Sequence, residues 1–201
     1  MGMMQTDAPK PAQDPRQKAI LAAAFEVFRL YGFRRTAMED IAQAAGMSRA
    51  ALYLHYRNKE DIFQSLVQAY FDATCTEVAR ILAQGLPPEQ ALTAAFAAHG
   101  GPIIEALLNS PHGAEFIDAK TLVSAETIRA GEGRLTAVYA DWLGREEVAG
   151  RVALAGVGNS VACAETLLAA LNGMKAGVTD YSAYAAAVAR LAAMFGRALR
   201  V

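Results

Sequence analysis

Five basic side chains lie close together in the sequence between positions 34 and 59: Arg34, Arg35, Arg49, Arg57 and Lys59. Guanidinium and ammonium groups bind phosphate oxygens, and a rim of such donors around a short helix is what contact with a nucleic-acid backbone requires. Any such attraction has to be local, because the chain has 19 basic and 20 acidic residues. Arg34 and Arg35 also fit a second interpretation, as part of a solvated charged face.

Two short helices joined by a tight turn are predicted from Thr36 onward. Thr36 and Glu39 have the T-x-x-E spacing of a capping box, which predicts the start of the first helix. Ser48 is a capping residue for the second helix, over residues 48–54. Gly46 between them tolerates the positive φ that the turn needs. The spacing is typical of a helix-turn-helix.

The second short helix is expected to have one buried and one presented face. Leu52 is predicted to point inward with Ile41, which leaves Arg49, Ala50 and Tyr53 facing outward. The donors on the outward face then have no internal partner. In a helix-turn-helix this face enters a major groove of DNA.

Composition predicts an all-α protein. Apolar residues make up 54% and aromatic residues 8% of the 201 positions, enough for a packed core. Alanine is abundant and clusters of Val, Ile and Thr are scarce, which favours helices over sheets. After a predicted disordered arm over residues 1–13, we expect about nine helices. Their predicted ranges are 14–31, 36–45, 48–54, 58–84, 89–98, 103–108, 114–143, 146–172 and 181–199.

Other classes of protein find little support in the sequence. Cys75 and Cys163 are far apart in apolar surroundings and are predicted to be buried thiols. Without a signal-peptide pattern or about 18 successive uncharged apolar residues, a cytoplasmic protein without membrane contact is expected. The motifs of phosphate-binding loops, serine hydrolases and zinc proteases are absent, so neither an enzyme nor a cofactor is expected. Metal binding by His99, His112 and Glu115 is disfavoured because glycine–proline breakers separate them.

A larger set of residues within positions 14–63 has an order and spacing that also occur in a known family of proteins. It consists of Phe25, Phe28, Tyr31-Gly32, Phe33, Thr36, Asp40-Ile41-Ala42, Ala45-Gly46-Met47-Ser48, Leu52-Tyr53, His55-Tyr56 and Lys59-Glu60. This set resembles the signature of TetR-family (tetracycline-repressor-like) transcriptional regulators. Beyond residue 63 the chain agrees with that family only in length and helical character.

The resemblance implies a helix-turn-helix DNA-binding domain over residues 14–60 and a helical ligand-binding and dimerisation domain over residues 61–201. It implies that Arg49 reads a base, because a guanidinium can bind O6 and N7 of guanine together. Ala50 permits contact with a thymine methyl group. The implied contacts to the DNA backbone are Arg35, Thr36, Ser48, Tyr53, His55 and Lys59. From the residues alone, Tyr53 also fits a core aromatic side chain and His55 a helix cap.

For the larger domain, the resemblance implies a pocket for a small, mostly apolar effector and a homodimer formed by the last two helices. The candidate pocket residues are Phe71, Cys75, Phe96, His99, Ile104, Leu107, Phe116, Trp142, Asn159 and Cys163. The candidate dimer-interface residues are Val152, Gly156, Ser160, Leu167, Val188, Leu191 and Phe195. In the alternative reading, these apolar stripes pack only inside the monomer.

These features together predict a ligand-responsive transcriptional repressor that binds a palindromic operator in double-stranded DNA as a homodimer. The competing hypothesis is a helical dimeric module that binds a small molecule or a protein but not DNA. Intact Arg49, Tyr53, His55 and Lys59 disfavour that hypothesis.

Overall fold

The computed structural model describes residues 14–113, 115, 123–175 and 180–201. These residues form eight α-helices and no strand, which confirms the all-α prediction. The helices are α1 Pro15–Tyr31, α2 Met38–Ala44, α3 Arg49–Tyr53, α4 Lys59–Leu82, α5 Pro88–Leu108, α6 Ala125–Val148, α7 Ser160–Gly173 and α8 Tyr181–Ala198. The predicted arm over residues 1–13 lies outside the described residues.

The first three helices and the start of α4 enclose a small hydrophobic core. Ile20 and Phe28 of α1 meet Ile41 of α2, Leu52 of α3 and Ile62 of α4 there, and all five side chains are fully buried. The helices α2 and α3 have only 7 and 5 residues. Helices this short are marginal alone, so this core is what holds them in place.

The predicted start of α2 was wrong by one residue. Ala37 occupies the capping position, and the Asp40 carboxylate accepts a hydrogen bond of 2.7 Å from its backbone N–H. The Thr36 hydroxyl donates instead to the Gly32 carbonyl oxygen at 2.8 Å, inside the turn that follows α1. The T-x-x-E spacing therefore marks the right place but not the residues that cap the helix.

Helix α4 is shared by two cores. Its first turns bring Ile62 and Phe63 into the small core, and later turns bring Phe71, Val78 and Ile81 into a larger one. The larger core also contains side chains from α5, α6, α7 and α8. Helix α5 packs mainly against α8 and α4, while α6 packs against α4 and α7.

Helix α5 corrects the prediction of two separate helices broken at residues 100–102. Gly100 and Gly101 are buried within it, and Pro102 lies inside the helix. Proline removes the backbone N–H that would donate to the Ala98 carbonyl oxygen. One residue further on, the His99 carbonyl oxygen accepts a 2.7 Å hydrogen bond from the Tyr70 hydroxyl of α4. By length and hydropathy α5 would pass as a membrane span, but 44% of its apolar stretch is buried in the fold.

The predicted helix over residues 146–172 was also wrong. Helix α6 continues to Val148, and Gly150, Gly156 and Gly158 then adopt φ values of 68°, 88° and 102°. Such backbone favours glycine and ends helical structure. The short helix α7 begins only afterwards. Gly131 and Gly133 both lie within α6, which runs through them without interruption.

The contact of α8 with the start of α5 depends on a missing side chain. A Cβ added at Gly196 would lie 2.8 Å from the Glu89 Cα, whereas one added at Gly133 would meet nothing within 4 Å. We predict that Gly196→Ala lowers the free energy of unfolding by about 1–3 kcal/mol through overpacking. Gly133→Ala is the matched control and should be neutral or stabilising, because alanine has the higher helix propensity. Urea unfolding followed by circular dichroism measures both; equal stability of the two variants would contradict this packing.

Candidate nucleic-acid interface

Helix α3 has the two faces that the sequence predicts. Leu52 is 0% exposed, while Arg49 and Ala50 lie at the surface and Tyr53 is 42% exposed. Tyr53 is therefore not a core aromatic residue. The helix begins at Ser48, whose hydroxyl oxygen accepts a 3.1 Å hydrogen bond from the Ala51 backbone N–H. A short polar and aromatic surface is thus presented on a helix anchored from behind by leucine.

Arg49 lies along the outer surface of α3 with weak contacts. Its guanidinium carbon is 5.5 Å from the centroid of the Tyr53 ring, and one terminal nitrogen is 3.5 Å from the Tyr53 hydroxyl. Its Nε is 3.9 Å from the Glu39 carboxylate of α2. The pKa of Arg49 is raised, chiefly by the hydrogen bond to Tyr53. Exposed pairs of this kind contribute little to stability, so the guanidinium can exchange them for acceptors on a ligand.

Lys59 and Thr36 do not have the geometry expected of phosphate contacts. The Lys59 ammonium donates to the carbonyl oxygens of Phe33, Arg34 and Thr36 at 2.8, 3.2 and 2.9 Å. These bonds use all three of its donors. The Thr36 hydroxyl is buried, and both it and the Thr36 backbone N–H donate to the Gly32 carbonyl oxygen. Both side chains instead fix the turn between α1 and α2.

Three aromatic rings support this turn from inside. The centroid of the Phe33 ring is 5.1 Å from that of Phe28 and 5.2 Å from that of Phe63. The Lys59 ammonium lies 4.7 Å from the Phe33 ring centroid, within the range of a cation–π contact. The first residue of α4 is thereby tied to α1 and to the turn that follows it.

The other predicted contacts lie around the same unit. Arg35 is exposed and borders an open cavity of about 550 Å³ between α1 and α2. The His55 side chain is half-buried, and its backbone N–H donates to the Leu52 carbonyl oxygen at 3.0 Å. Among the described residues, neither the Arg35 nor the His55 side chain has a hydrogen bond or ion pair that fixes its role.

The same segment is similar to a known family of proteins. Residues 20–66 match the model of the bacterial regulatory proteins of the tetR family. Residues 20–66, called the tetR-family segment below, are therefore similar to this family. A Bacillus subtilis protein named as the uncharacterized HTH-type transcriptional regulator YfiR is 35% identical over 69 residues, which are 34% of each chain. The Brucella suis transcriptional repressor BepR is 43% identical over 51 residues, 25% of this chain and 24% of that one. These matches span about a third or less of the relatives' length.

The whole fold also has counterparts among solved structures. The crystal structure of a transcriptional regulator from Cytophaga hutchinsonii aligns with a TM-score of 0.74 over 94% of this chain and 100% of that one. Its sequence is 21% identical, so this likeness concerns the fold. The helices beyond the tetR-family segment thus follow a known architecture although their sequence has diverged.

The tetR-family segment also contacts the residues that follow α5. One Arg29 guanidinium nitrogen donates to the Ser110 hydroxyl at 3.2 Å, and the Arg29 carbonyl oxygen accepts from the His112 backbone N–H at 3.3 Å. The Arg34 backbone N–H donates to the Glu115 carboxylate at 3.3 Å. These contacts join the end of α1 to the residues after α5 and form a second connection between the two cores.

The predicted pocket residues divide into several groups. Phe71, Ile104 and Leu107 line an apolar cavity of about 390 Å³. His99 and Phe71 line a second cavity of about 400 Å³, which has more polar side chains in its wall and is called the polar cavity below. Phe96 borders a small cavity of about 70 Å³. Phe116 lies outside the described residues.

The remaining predicted pocket residues line none of these cavities. Cys75, Trp142 and Cys163 pack in or against the larger core, and burial raises the pKa of both thiols. Asn159 caps α7 by accepting a hydrogen bond of 2.9 Å from the Ala162 backbone N–H.

His99 is a buried polar side chain on the wall of the second cavity. It is 3% exposed, and burial, followed by the nearby Lys175 charge, lowers its pKa to about 3. The imidazole is therefore neutral at physiological pH. Its Nδ1 has no hydrogen-bond partner among the described residues, a state that costs about 1–3 kcal/mol for a buried polar group.

The sequence missed several cavity residues. Leu21 and Phe25 of α1, Tyr70 of α4, Ile128 of α6 and Lys175 after α7 all line the apolar cavity. No short motif marks them, because the cavity is assembled from five distant segments.

Several of the residues predicted to form the dimer interface do not lie on a free surface of the monomer. Val152, Leu167 and Val188 are buried inside the chain, as the alternative interpretation of packing within the monomer predicts. Gly156 is exposed in the loop before α7 and Ser160 is half-buried at its start, while Leu191 and Phe195 on α8 are half-buried. The exposed apolar side chains of this region are Val157, Val161 and Met194.

The Lys59 geometry yields a testable prediction. Lys59→Met keeps the aliphatic stem but leaves three backbone carbonyls without their donor, and we expect it to lower the free energy of unfolding by about 1–3 kcal/mol. Lys18→Met removes an exposed lysine of α1 and is the matched control, with an expected change below about 0.5 kcal/mol. Chemical unfolding monitored by circular dichroism compares the two. Unchanged stability of Lys59→Met would show that the three contacts do not hold the turn.

Proposed function

We propose that this chain is a transcriptional regulator that binds double-stranded DNA through α3, acts as a homodimer and responds to a small molecule. The observation that carries the proposal is the presented face of α3, where Arg49, Ala50 and Tyr53 lie outward from the buried Leu52. The tetR-family match over the same segment supports it. The name of the Brucella relative, a transcriptional repressor, supports repression as the direction of control.

The proposed contacts follow from exposure and chemistry. Arg49 binds a guanine edge in the major groove, and Ala50 touches a neighbouring base. Ser48, Tyr53, His55 and Arg35 contact the sugar–phosphate backbone. Thr36 and Lys59 act as positioning residues, since their donors hold the turn between α1 and α2.

In this proposal residues 14–60 are the DNA-binding domain and residues 61–201 the effector-binding and dimerisation domain. Helix α4 and the contacts of Arg29 and Arg34 with residues 110–115 connect the two domains. These contacts must have two arrangements, one that fits DNA and one that does not. An effector bound to residues 61–201 shifts DNA affinity only if it binds one of these arrangements more tightly than the other.

The proposed dimer surface consists of the outer faces of α7 and α8. Val161 of α7 is 49% exposed and Met194 of α8 is 67% exposed. Buried apolar area is the usual source of stability for such helical interfaces. Two copies joined this way place two α3 helices on the successive half-sites of a palindrome.

The base-reading role of Arg49 can be tested on DNA selected from random duplexes. We predict that Arg49→Ala weakens binding to the selected operator about tenfold or more and relaxes the preference at one guanine. Arg80→Ala, which removes an exposed arginine of α4 paired with Glu77, is the matched control and should leave affinity unchanged. Fluorescence anisotropy with operators mutated one base pair at a time provides the measurement. Unchanged discrimination between operators by the Arg49→Ala variant would exclude Arg49 as a base reader. A wild-type protein that retains no duplex at low salt would favour the competing hypothesis of a helical module without DNA binding.

The dimer surface can be tested by charge. We predict that Met194→Glu raises the dimer dissociation constant at least tenfold, because the carboxylate must be desolvated in the interface. Val148→Glu introduces the same charge at the exposed end of α6 and should leave the dimer intact. Analytical ultracentrifugation distinguishes the two. A wild-type protein that sediments only as a monomer, or a Met194→Glu variant that stays dimeric, would contradict this surface.

A further inference from the structure

The apolar and polar cavities adjoin. Both are lined by Tyr70, Phe71, Ile128 and Lys175, so these four residues form their common wall. The apolar cavity of about 390 Å³ extends from this wall to α1, where Leu21, Ala22 and Phe25 close it. The polar cavity of about 400 Å³ extends the other way, toward His99, Asn172 and residues of α6 and α7. A ligand that fills both needs an apolar end and a polar end.

The charges around the two cavities indicate which charge the polar end of the ligand carries. Lys175 is half-buried and belongs to both cavities, and its ammonium is 3.3 Å from the Asn172 side-chain oxygen. The polar cavity also contains Glu132 and Glu165, but both are exposed. Opposite charges attract more strongly where water is partly excluded. The position of Lys175 at the junction therefore favours an anionic group there over a cationic one.

His99 gives an independent indication that a polar group belongs here. Its ring lines the polar cavity, it is 3% exposed, and its Nδ1 has no hydrogen-bond partner among the described residues. Buried polar nitrogens in folded proteins are normally paired. A head group that enters the polar cavity lies between the His99 ring and the Lys175 ammonium, which both line it.

We propose that the effector is an elongated amphipathic monocarboxylate whose head group lies at Lys175 and whose hydrocarbon tail reaches the α1 wall at Leu21, Ala22 and Phe25. The inference rests on the proposed function for its regulatory meaning, but not for binding itself. A tail in this position lies between α1 and helices α4 and α5, where the proposed DNA-binding domain meets the larger domain. Bound ligand and bound operator then oppose one another with the same coupling factor in both directions.

The first test measures binding to the full chain by isothermal titration calorimetry with decanoate, decanol and decylamine as probes. We expect decanoate to bind most tightly and Lys175→Met to weaken decanoate about tenfold, as loss of one charge-assisted contact predicts, while decanol is unaffected. Decylamine binding more tightly than decanoate, or equal loss of decanoate and decanol in Lys175→Met, would overturn the assignment of the head group.

The second test concerns the α1 wall. Ala22 is exposed but borders the apolar cavity, whereas the equally exposed Ala19 of the same helix does not. We expect Ala22→Trp to abolish binding of both decanoate and decanol, and Ala19→Trp to bind both as the wild type does. Unchanged binding in Ala22→Trp would show that the tail does not reach α1.

The third measurement separates this inference from the proposed function. Saturating decanoate is expected to raise the dissociation constant of the selected operator by about fivefold or more, the lower range of allosteric coupling. Decanoate binding with no duplex retained under any salt condition would leave the site in place and remove DNA regulation. Operator binding without any calorimetric signal for decanoate would remove the site and leave the DNA-binding proposal standing.

Discussion

Helix α4 belongs to two hydrophobic cores, and this constraint governs the rest of the molecule. Its start is fixed by Ile62 and Phe63 in the small core and by the three hydrogen bonds of Lys59. Its later turns are fixed by Phe71 and Val78 in the larger core. A continuous helix transmits displacement along its length because every turn is hydrogen-bonded to the next. The position of the presented helix α3 therefore depends on how the body packs around α4.

This arrangement explains why the helical unit that presents α3 can be so small. The helices α2 and α3 have too few residues to be stable alone, and they acquire fixed positions only by packing against α1 and α4. Lysine and threonine donors that would otherwise face solvent hold the turn before α2 instead. The polar groups of the presented face are then left for a ligand, since the internal contacts are made by other residues.

The sequence predicted the features that depend on local chemistry. Ser48 caps α3 as predicted, and the helix starts predicted at residues 14, 58 and 181 lie at or beside the observed caps Asp14, Asn58 and Asp180. Leu52 is buried as its spacing predicted. These outcomes follow from hydrogen bonds and periodicity within a few residues, which a single sequence contains.

The features that depend on distant residues were not predictable in the same way. Pro102 was expected to end a helix, but the packing of α5 against α4 and α8 keeps it continuous. Lys59 has the residue type of a phosphate contact, and only the position of three carbonyls from another segment gives it a different role. The cavity residues Leu21, Ile128 and Lys175 have no shared motif because tertiary packing alone brings them together.

The position of α3 relative to the larger core, which α4 fixes, can be measured as a distance. Spin labels at Ala50→Cys on α3 and Val148→Cys at the end of α6 report it within one subunit, with Cys75 and Cys163 replaced by alanine and the labelled chain diluted in unlabelled protein. We expect one narrow distance distribution by pulsed electron spin resonance in the free protein. A broad distribution, with α3 sampling many positions relative to the body, would contradict it.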